Sequence, residues 1–296
     1  MNSKGNPSIG ICCPAGPVDK IQIEPALREL RKLGYHISLG KHLFKRDGYL
    51  AGSVQERWED FKTFWEDSSV DVIWTARGGF GSAQLLPFLE ELNVPLNTKL
   101  LIGFSDITAL QMGLLEKCQL PSLSGFTLTS QLHAGNPYVK LADKFIRREL
   151  TDLTFTGGTL SGPVEAVKGV FLGGTLSVLV SLVGTSFLPK PADIILFLED
   201  VNEPLYKIER YLLQLKLAGF LERVRAVLLG TFLYEHQPLD VEELFKKYIP
   251  DNAPVLTGLP YGHYADSIAL PNGVPATFYP EEKRLAWKWS GPSASL

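Results

Sequence analysis

Strand candidates alternating with helix candidates predict an α/β protein built on a parallel sheet covered on both faces. Three observations carry that reading. Ser8 to Cys13, Val70 to Ala76 and the stretch beginning at Leu100 are short, mostly apolar runs, as strands buried on both faces are. Helical periodicity fills the intervals between them. Thr151 to Pro163 is rich in Thr, Gly and Ser and lacks helical periodicity, which reads as a junction between domains. The expected division is residues 1–150 for a first α/β domain, 151–163 for a linker and 164–296 for a second. At 296 residues the chain is long enough for either to hold its own core.

The first strand, Ser8 to Cys13, is broken by Pro14-Ala15-Gly16-Pro17. From about Gln22 a helix follows, with Ile23, Ala26, Leu27, Leu30 and Leu33 at helical spacing and Gly34 placed to end it. His36 to Leu39 suits a second strand. Ser53 and Glu56 form a capping box before a helix whose apolar face is Val54, Trp58, Phe61 and Trp65. The strand Val70 to Ala76 runs directly into Arg77-Gly78-Gly79-Phe80-Gly81 and a helix through Leu85, Leu86 and Leu89. Beyond Leu100, a helix reaches about Lys117, Leu120 to Ser124 forms a short strand, and a polar stretch leads through Asn136-Pro137 to a helix over Tyr138 to Leu150. The second half opens with the strand Val164 to Leu172, then Gly173-Gly174-Thr175 and an apolar run to Val183. Ile194 to Leu198 is a strand ending in Glu199-Asp200, ahead of Glu203-Pro204 and a helix with Ile208, Tyr211, Leu212 and Leu215 on its apolar face. Arg225 to Phe232 as strand, Val241 to Tyr248 as helix and a hairpin of Ala276 to Tyr279 with Arg284 to Trp289 complete the chain.

Chemistry concentrates at the ends of strands. Leu100 to Leu110 reads as a strand, a turn at Gly103-Phe104-Ser105-Asp106 and the first turn of a helix. A serine on such a turn exposes its hydroxyl at the end of the sheet, with the following amide aimed at the same space and the helix dipole behind it. Ser105 and Asp106 are equally ordinary N-cap residues. In parallel sheets ligands bind beyond the carboxyl ends of the strands, where the glycine-rich loop after Ala76 also lies, so Gly78 or Gly79 could complete an oxyanion site with the Asp106 amide. A plain strand-to-helix connection is the competing reading. Phosphate cradling is weak, because neither G-x-x-x-x-G-K-[ST] nor G-x-G-x-x-G occurs. Glu199, Asp200 and Glu203 crowd one strand end, where the dipole of the next helix also favours acids. His263 stands on a loop punctuated by Gly258, Pro260 and Gly262, where it is either solvated or a base.

Composition narrows the partners. Apolar residues at 45% and charged residues at 21% are ordinary for a globular protein, and a net charge of -3 argues against nucleic acid and anionic membranes. No apolar run approaches membrane-spanning length, and the run Ile9 to Cys13 is too short for a signal-peptide core. Cys12, Cys13 and Cys118 are odd in number, with two adjacent in a buried strand, which suits reduced thiols and a cytoplasmic protein. The five histidines show no H-E-x-x-H or other close ligand pair, and no metal or cofactor is expected.

Ser105, an acid near Glu199 and His263 follow the chain order Ser, acid, His, but the G-x-S-x-G of α/β-hydrolases is absent, since Ile107 stands where the second glycine belongs. Along nearly its whole length the chain resembles the LD-carboxypeptidases of murein recycling and their relatives that confer self-immunity to microcin C. The resemblance rests on Cys13-Pro14-Ala15-Gly16, Tyr49-Leu50-Ala51-Gly52, Arg77-Gly78-Gly79-Phe80-Gly81, Gly103-Phe104-Ser105-Asp106-Ile107-Thr108, Leu198-Glu199-Asp200-Val201-Asn202-Glu203-Pro204-Leu205-Tyr206 and Leu259-Pro260-Tyr261-Gly262-His263. It implies Ser105 as nucleophile, Glu199 as triad acid, His263 as base, and the amides of Asp106 and a glycine of the Arg77 loop as oxyanion donors. It further implies an N-terminal domain similar to class I glutamine amidotransferases, a smaller C-terminal α/β domain supplying Glu199 and His263, a site between them, and a homodimer.

The expected reaction is release of the terminal D-alanine from a murein tetrapeptide by acyl transfer to Ser105, with Arg77 a candidate for the terminal carboxylate. An immunity-type peptidase acting on aminoacyl-nucleotide conjugates is the nearest alternative, and a binding protein without turnover a remote one. Two departures from the family pattern stand out: Ser124-Gly125-Phe126 in place of His-Gly-Pro, and Gly173-Gly174-Thr175 in place of Gly-Gly-Asn. Both are expected to leave the triad untouched; both could alter the substrate pocket and so bear on peptide specificity more than on reaction type.

Overall fold

The computed structural model describes residues 6–92, 99–129 and 137–289; residues 1–5, 93–98, 130–136 (most of the polar stretch before Pro137) and 290–296 lie outside them. The chain is α/β, with two sheets rich in parallel pairs. The first opens with β1 (Ser8–Cys12), whose side chains from Ile9 onward are buried, then α1 (Lys20–Lys32), β2 (His36–Leu39), α2 (Val54–Glu66) and β3 (Val72–Thr75). The capping box of α2 forms as expected: Glu56 N–H donates to Ser53 Oγ at 3.3 Å and Ser53 N–H to Glu56 Oε2 at 2.9 Å.

The segment through Leu85, Leu86 and Leu89 buries those side chains but runs as a 3-10 helix, Ser82–Glu91, rather than an α-helix. Pro87 explains the difference, since it has no N–H to donate and its ring crowds the carbonyl four residues back. Next come β4 (Leu100–Gly103), α3 (Thr108–Cys118), β5 (Ser122–Ser124) and α4 (Pro137–Ile146).

The second half contributes β6 (Asp152–Thr154), β7 (Leu160–Ser161), β8 (Val167–Thr175), α5 (Leu176–Ser181), β9 (Ile194–Val201), α6 (Leu205–Leu217), β10 (Val224–Tyr234), β11 (Gln237–Pro238) and α7 (Glu242–Lys246). After these come β12 (Val255–Leu256), β13 (Leu270–Asn272) and the hairpin β14 (Val274–Tyr279) with β15 (Arg284–Trp287).

The order in the first sheet is β13-β5-β4-β3-β1-β2, parallel except for β13. The second runs β6-β15-β14-β8-β9-β10-β12-β7, with β8, β9, β10 and β12 parallel at its centre. Two details differ from the sequence expectation. The stretch 151–163, expected as a linker, holds β6 and β7, which pair with β15 and β12 and so belong to the second sheet. Conversely, β13 comes from the second half of the chain but pairs antiparallel with β5 in the first sheet.

The helix that follows the Ser105 turn, α3, is buried nearly all round: Ala109, Leu110 and Met112 are fully enclosed and Leu114 almost so. A helix apolar on every face needs neighbours on every face. Here they are the 3-10 helix on one side and α5 with β8 on the other. Enclosing each large aliphatic side chain contributes roughly 1.5–3 kcal/mol, so this helix is among the least movable parts of the molecule.

Candidate active site

Ser105 is placed by sterics within a few residues. Gly103 ends β4 where a Cβ would lie 2.4 Å from Ile107 Cγ2 and 2.8 Å from Thr75 Oγ1, so only glycine lets the chain turn so tightly. Phe104 is extended, and Ser105 then adopts φ 63°, a left-handed conformation that costs a serine about 1–3 kcal/mol unless its surroundings impose it. This is the strained strand-to-helix turn that lifts a serine hydroxyl out of the sheet. Against it lies Gly78, where a Cβ would approach Ser105 Cβ to 3.0 Å and Ser105 Oγ to 3.4 Å.

His263 Nε2 is 3.0 Å from Ser105 Oγ, and His263 Nδ1 is 2.6 Å from Glu199 Oε2. The imidazole sits on the loop between β12 and β13, about a quarter exposed, with its ring against Phe104 at 4.5 Å between centroids. Glu199 lies inside β9 and is fully buried. Burial alone would push the His263 imidazole down, but the charge and hydrogen bond of Glu199, helped by Asp200, hold it above its ordinary value.

The neighbouring acids take other partners. Asp200 accepts N–H bonds from Ser177 at 2.7 Å and Val201 at 2.8 Å, and burial together with the Glu199 charge pushes its carboxyl up to about 7. Glu203 faces Lys207 at 3.3 Å. Of the three acids at this strand end, Glu199 is therefore the one bonded to His263.

Asp106 supplies its amide at the start of the 3-10 turn, where helical N–H groups have no intrahelical partner. Its side chain has a role that sequence reasoning missed. The carboxylate accepts the Ser82 N–H at 2.8 Å while Ser82 Oγ donates to the Asp106 carbonyl, which clasps the glycine loop to the turn. Burial raises this carboxyl, and the amides of Ser82 and Gly81 with the Arg57 charge oppose the rise.

Arg57 is a second omission. Only 1% exposed, it donates to the carbonyls of Pro14 at 2.7 Å, Gly81 at 2.8 Å and Gly52 at 3.3 Å, tying together three loops at the carboxyl end of the first sheet. Its signal was an arginine among the core positions of an amphipathic helix. Arg77 is exposed, donates from Nη1 to the Pro17 carbonyl at 2.9 Å and borders the cleft. A cleft of about 450 Å³ opens over Ser105 and His263, walled by Arg77, Gly79, Phe104, Gly125, Thr127 and Tyr264.

Of the two departures, one lies at the cleft as expected and the other does not behave as expected. Ser124 Oγ bonds the Tyr261 hydroxyl at 2.8 Å, within the buried aromatic support beneath Phe104, and Gly125 lines the cleft. Thr175 corrects the expectation that the triad is untouched: its Oγ1 donates to Glu199 Oε1 at 2.5 Å.

The site and fold can be set beside known proteins. A model of the LD-carboxypeptidase N-terminal domain matches residues 9–125, and one of the C-terminal domain matches residues 168–278. The chain is 32% identical over 293 residues to the probable murein peptide carboxypeptidase of Bacillus subtilis, covering 95% of this chain and 91% of that protein. It is also 32% identical over 293 residues to the murein tetrapeptide carboxypeptidase of Pseudomonas aeruginosa, covering 94% of each. Among solved structures, MccF in complex with glutamyl sulfamoyl guanosine superposes with a TM-score of 0.84 at 23% identity, covering 97% of each chain, a likeness of fold.

Proposed function

This chain belongs to the LD-carboxypeptidase family, and from that premise we propose that it is a serine peptidase releasing the terminal D-alanine from murein tetrapeptides in the cytoplasm. One observation carries the proposal: the unbroken run of hydrogen bonds from Ser105 through His263 to buried Glu199 at the floor of an open cleft. In this reading His263 Nε2 takes the Ser105 proton as Oγ attacks the carbonyl of the L,D peptide bond. Glu199 holds the Nδ1–H tautomer and stabilises the imidazolium. His263 then protonates the departing D-alanine amine, and water, activated by the same imidazole, hydrolyses the acyl-enzyme.

The developing oxyanion needs two donors. Besides the Asp106 amide, the choice between Gly78 and Gly79 follows from the Gly78 carbonyl, which accepts the Gly16 N–H at 2.9 Å. A trans peptide points its N–H opposite to its C=O, so the Gly79 N–H is directed away from Gly16, and Gly79 is the donor we assign. Arg77 spends one N–H on Pro17, and a guanidinium has five, so it retains donors for the substrate carboxylate.

The deciding measurement is D-alanine release from UDP-linked murein tetrapeptide by wild type and Ser105→Ala. Release by wild type alone supports the reading. Binding without release by either protein replaces it with a binding protein, and no binding directs the search to aminoacyl-nucleotide conjugates.

A further inference from the structure

Thr175 joins the acid to the nucleophile's helix. It closes β8, is 4% exposed, and donates its hydroxyl hydrogen to Glu199 Oε1 at 2.5 Å, opposite the oxygen that faces His263. A carboxylate only accepts, so Thr175 is the donor in this pair. Its backbone N–H in turn donates to Thr108 Oγ1 at 3.2 Å, and Thr108 is the first residue of α3, one turn beyond Ser105. Gly174 makes that approach possible: at φ 147°, a Cβ there would stand 2.5 Å from Thr108 Oγ1. The contacts close a ring from Ser105 along its own turn to Thr108, across to Thr175, then to Glu199, His263 and back to Ser105.

We propose that Thr175 is a positioning residue, whose hydroxyl fixes the Glu199 carboxylate in its His263-facing orientation while its amide locks the acid's sheet to the nucleophile's helix. The inference rests on the catalytic reading above for its kinetic consequence, though not for its titration. Both oxygens of Glu199 are occupied, one by Thr175 and one by His263. Removing the hydroxyl leaves a buried lone pair without its donor and concentrates the carboxylate's charge on the oxygen facing His263, which favours the imidazolium. Among the described residues, polar groups that face the pair include Asp200 beside it in β9, Ser105 on the elbow and the Tyr261 phenol from the loop, none of which the substitution alters.

The test compares wild type, Thr175→Val and Thr175→Ser by steady-state kinetics on murein tetrapeptide and by proton NMR titration of the downfield His263 Nδ1–H signal. Thr175→Val is expected to lower kcat about 10- to 100-fold, as loss of a hydrogen bond to a charged group does, with KM unchanged. Its imidazole titration moves up by about one pH unit. Thr175→Ser restores both. A loss of activity with an unmoved titration, or a failure of serine to rescue it, reduces Thr175 to packing and overturns the inference. The titration needs no substrate, so a wild type inactive on murein tetrapeptide whose titration still responds to Thr175→Val defeats the murein-tetrapeptide reading and leaves the positioning role standing.

Discussion

The elbow around Ser105 and the half-site formed by Glu199 and His263 are held by different physics. Ser105 is placed by what lies within a few residues of it: a glycine at 103 where any Cβ would crowd Ile107 and Thr75, a left-handed φ, and a helix buried on all sides. Glu199 and His263 are 64 residues apart and meet only because β9 and the loop after β12 are brought together by the second sheet. Their alignment depends on hydrogen bonds, with Thr175 on one carboxylate oxygen and the ring of Phe104 against the imidazole. Damage to the first region should therefore register as lost nucleophile or lost stability, and damage to the second as altered protonation in a protein that still folds.

The sharpest contrast comes from removing one member of the proposed triad from each side. Ser105→Ala keeps the Cβ and the backbone demand at 105, so its melting temperature should match wild type while kcat falls on the order of 10⁶-fold. Glu199→Gln should lose about 10⁴-fold with KM largely kept, because the amide can no longer accept from both Thr175 and His263 and selects the wrong imidazole tautomer. Parallel kinetics and thermal melts read both variants. A Glu199→Gln enzyme as active as wild type would strip the acid of its role.

Gly103→Ala attacks the elbow through sterics alone. The added methyl would fall 2.4 Å from Ile107 Cγ2 and 2.8 Å from Thr75 Oγ1, both on buried residues, so the strand end must shift. The expected cost is about 1–3 kcal/mol in denaturant unfolding, accompanied by lower kcat as Ser105 moves off His263. An unchanged stability would mean that the turn relaxes freely and that local strain does not place the serine.

This contrast also explains what is legible in the sequence alone. The elbow was legible because its determinants are contiguous: Gly103, Ser105 and the apolar run behind them announce a sharp strand-to-helix turn. Glu199 and His263 were singled out by the resemblance; residue patterns alone left Asp200 and Glu203 as equals, since all three acids sit at one strand end. Only tertiary structure turns Asp200 toward the Ser177 and Val201 amides and Glu199 toward His263. Thr175 was read as a pocket residue because its distance from Glu199 is set by the parallel register of β8 with β9, where Thr175 stands beside Glu199. The two- and three-residue strands β6, β7, β12 and β13 are too short to show periodicity, and each exists only by pairing with a distant partner.

The mildest test of the second region is Asp200→Asn, which removes a charge near the imidazole without touching it. Asp200 helps to hold His263 above its ordinary value, so its neutralisation should move the acidic limb of kcat/KM downward, by about a few tenths of a pH unit. The shift stays small because Asp200, pushed up to about 7, carries only part of its charge where the limb is measured. Stability supplies the larger signal. A carboxyl that titrates near 4 when unfolded and about 7 when folded binds more protons in the native state between those values. Wild-type stability from this group is then fully present below about pH 4 and lost as pH rises to about 7. Asparagine does not titrate, so the stability of the variant relative to wild type should climb across that window and level off above it. Urea unfolding at pH 5 and pH 8 reads the difference: parallel behaviour of the two proteins would mean that Asp200 is charged throughout, and that the buried Glu199–Asp200 pair is held by stronger donors than the Ser177 and Val201 amides.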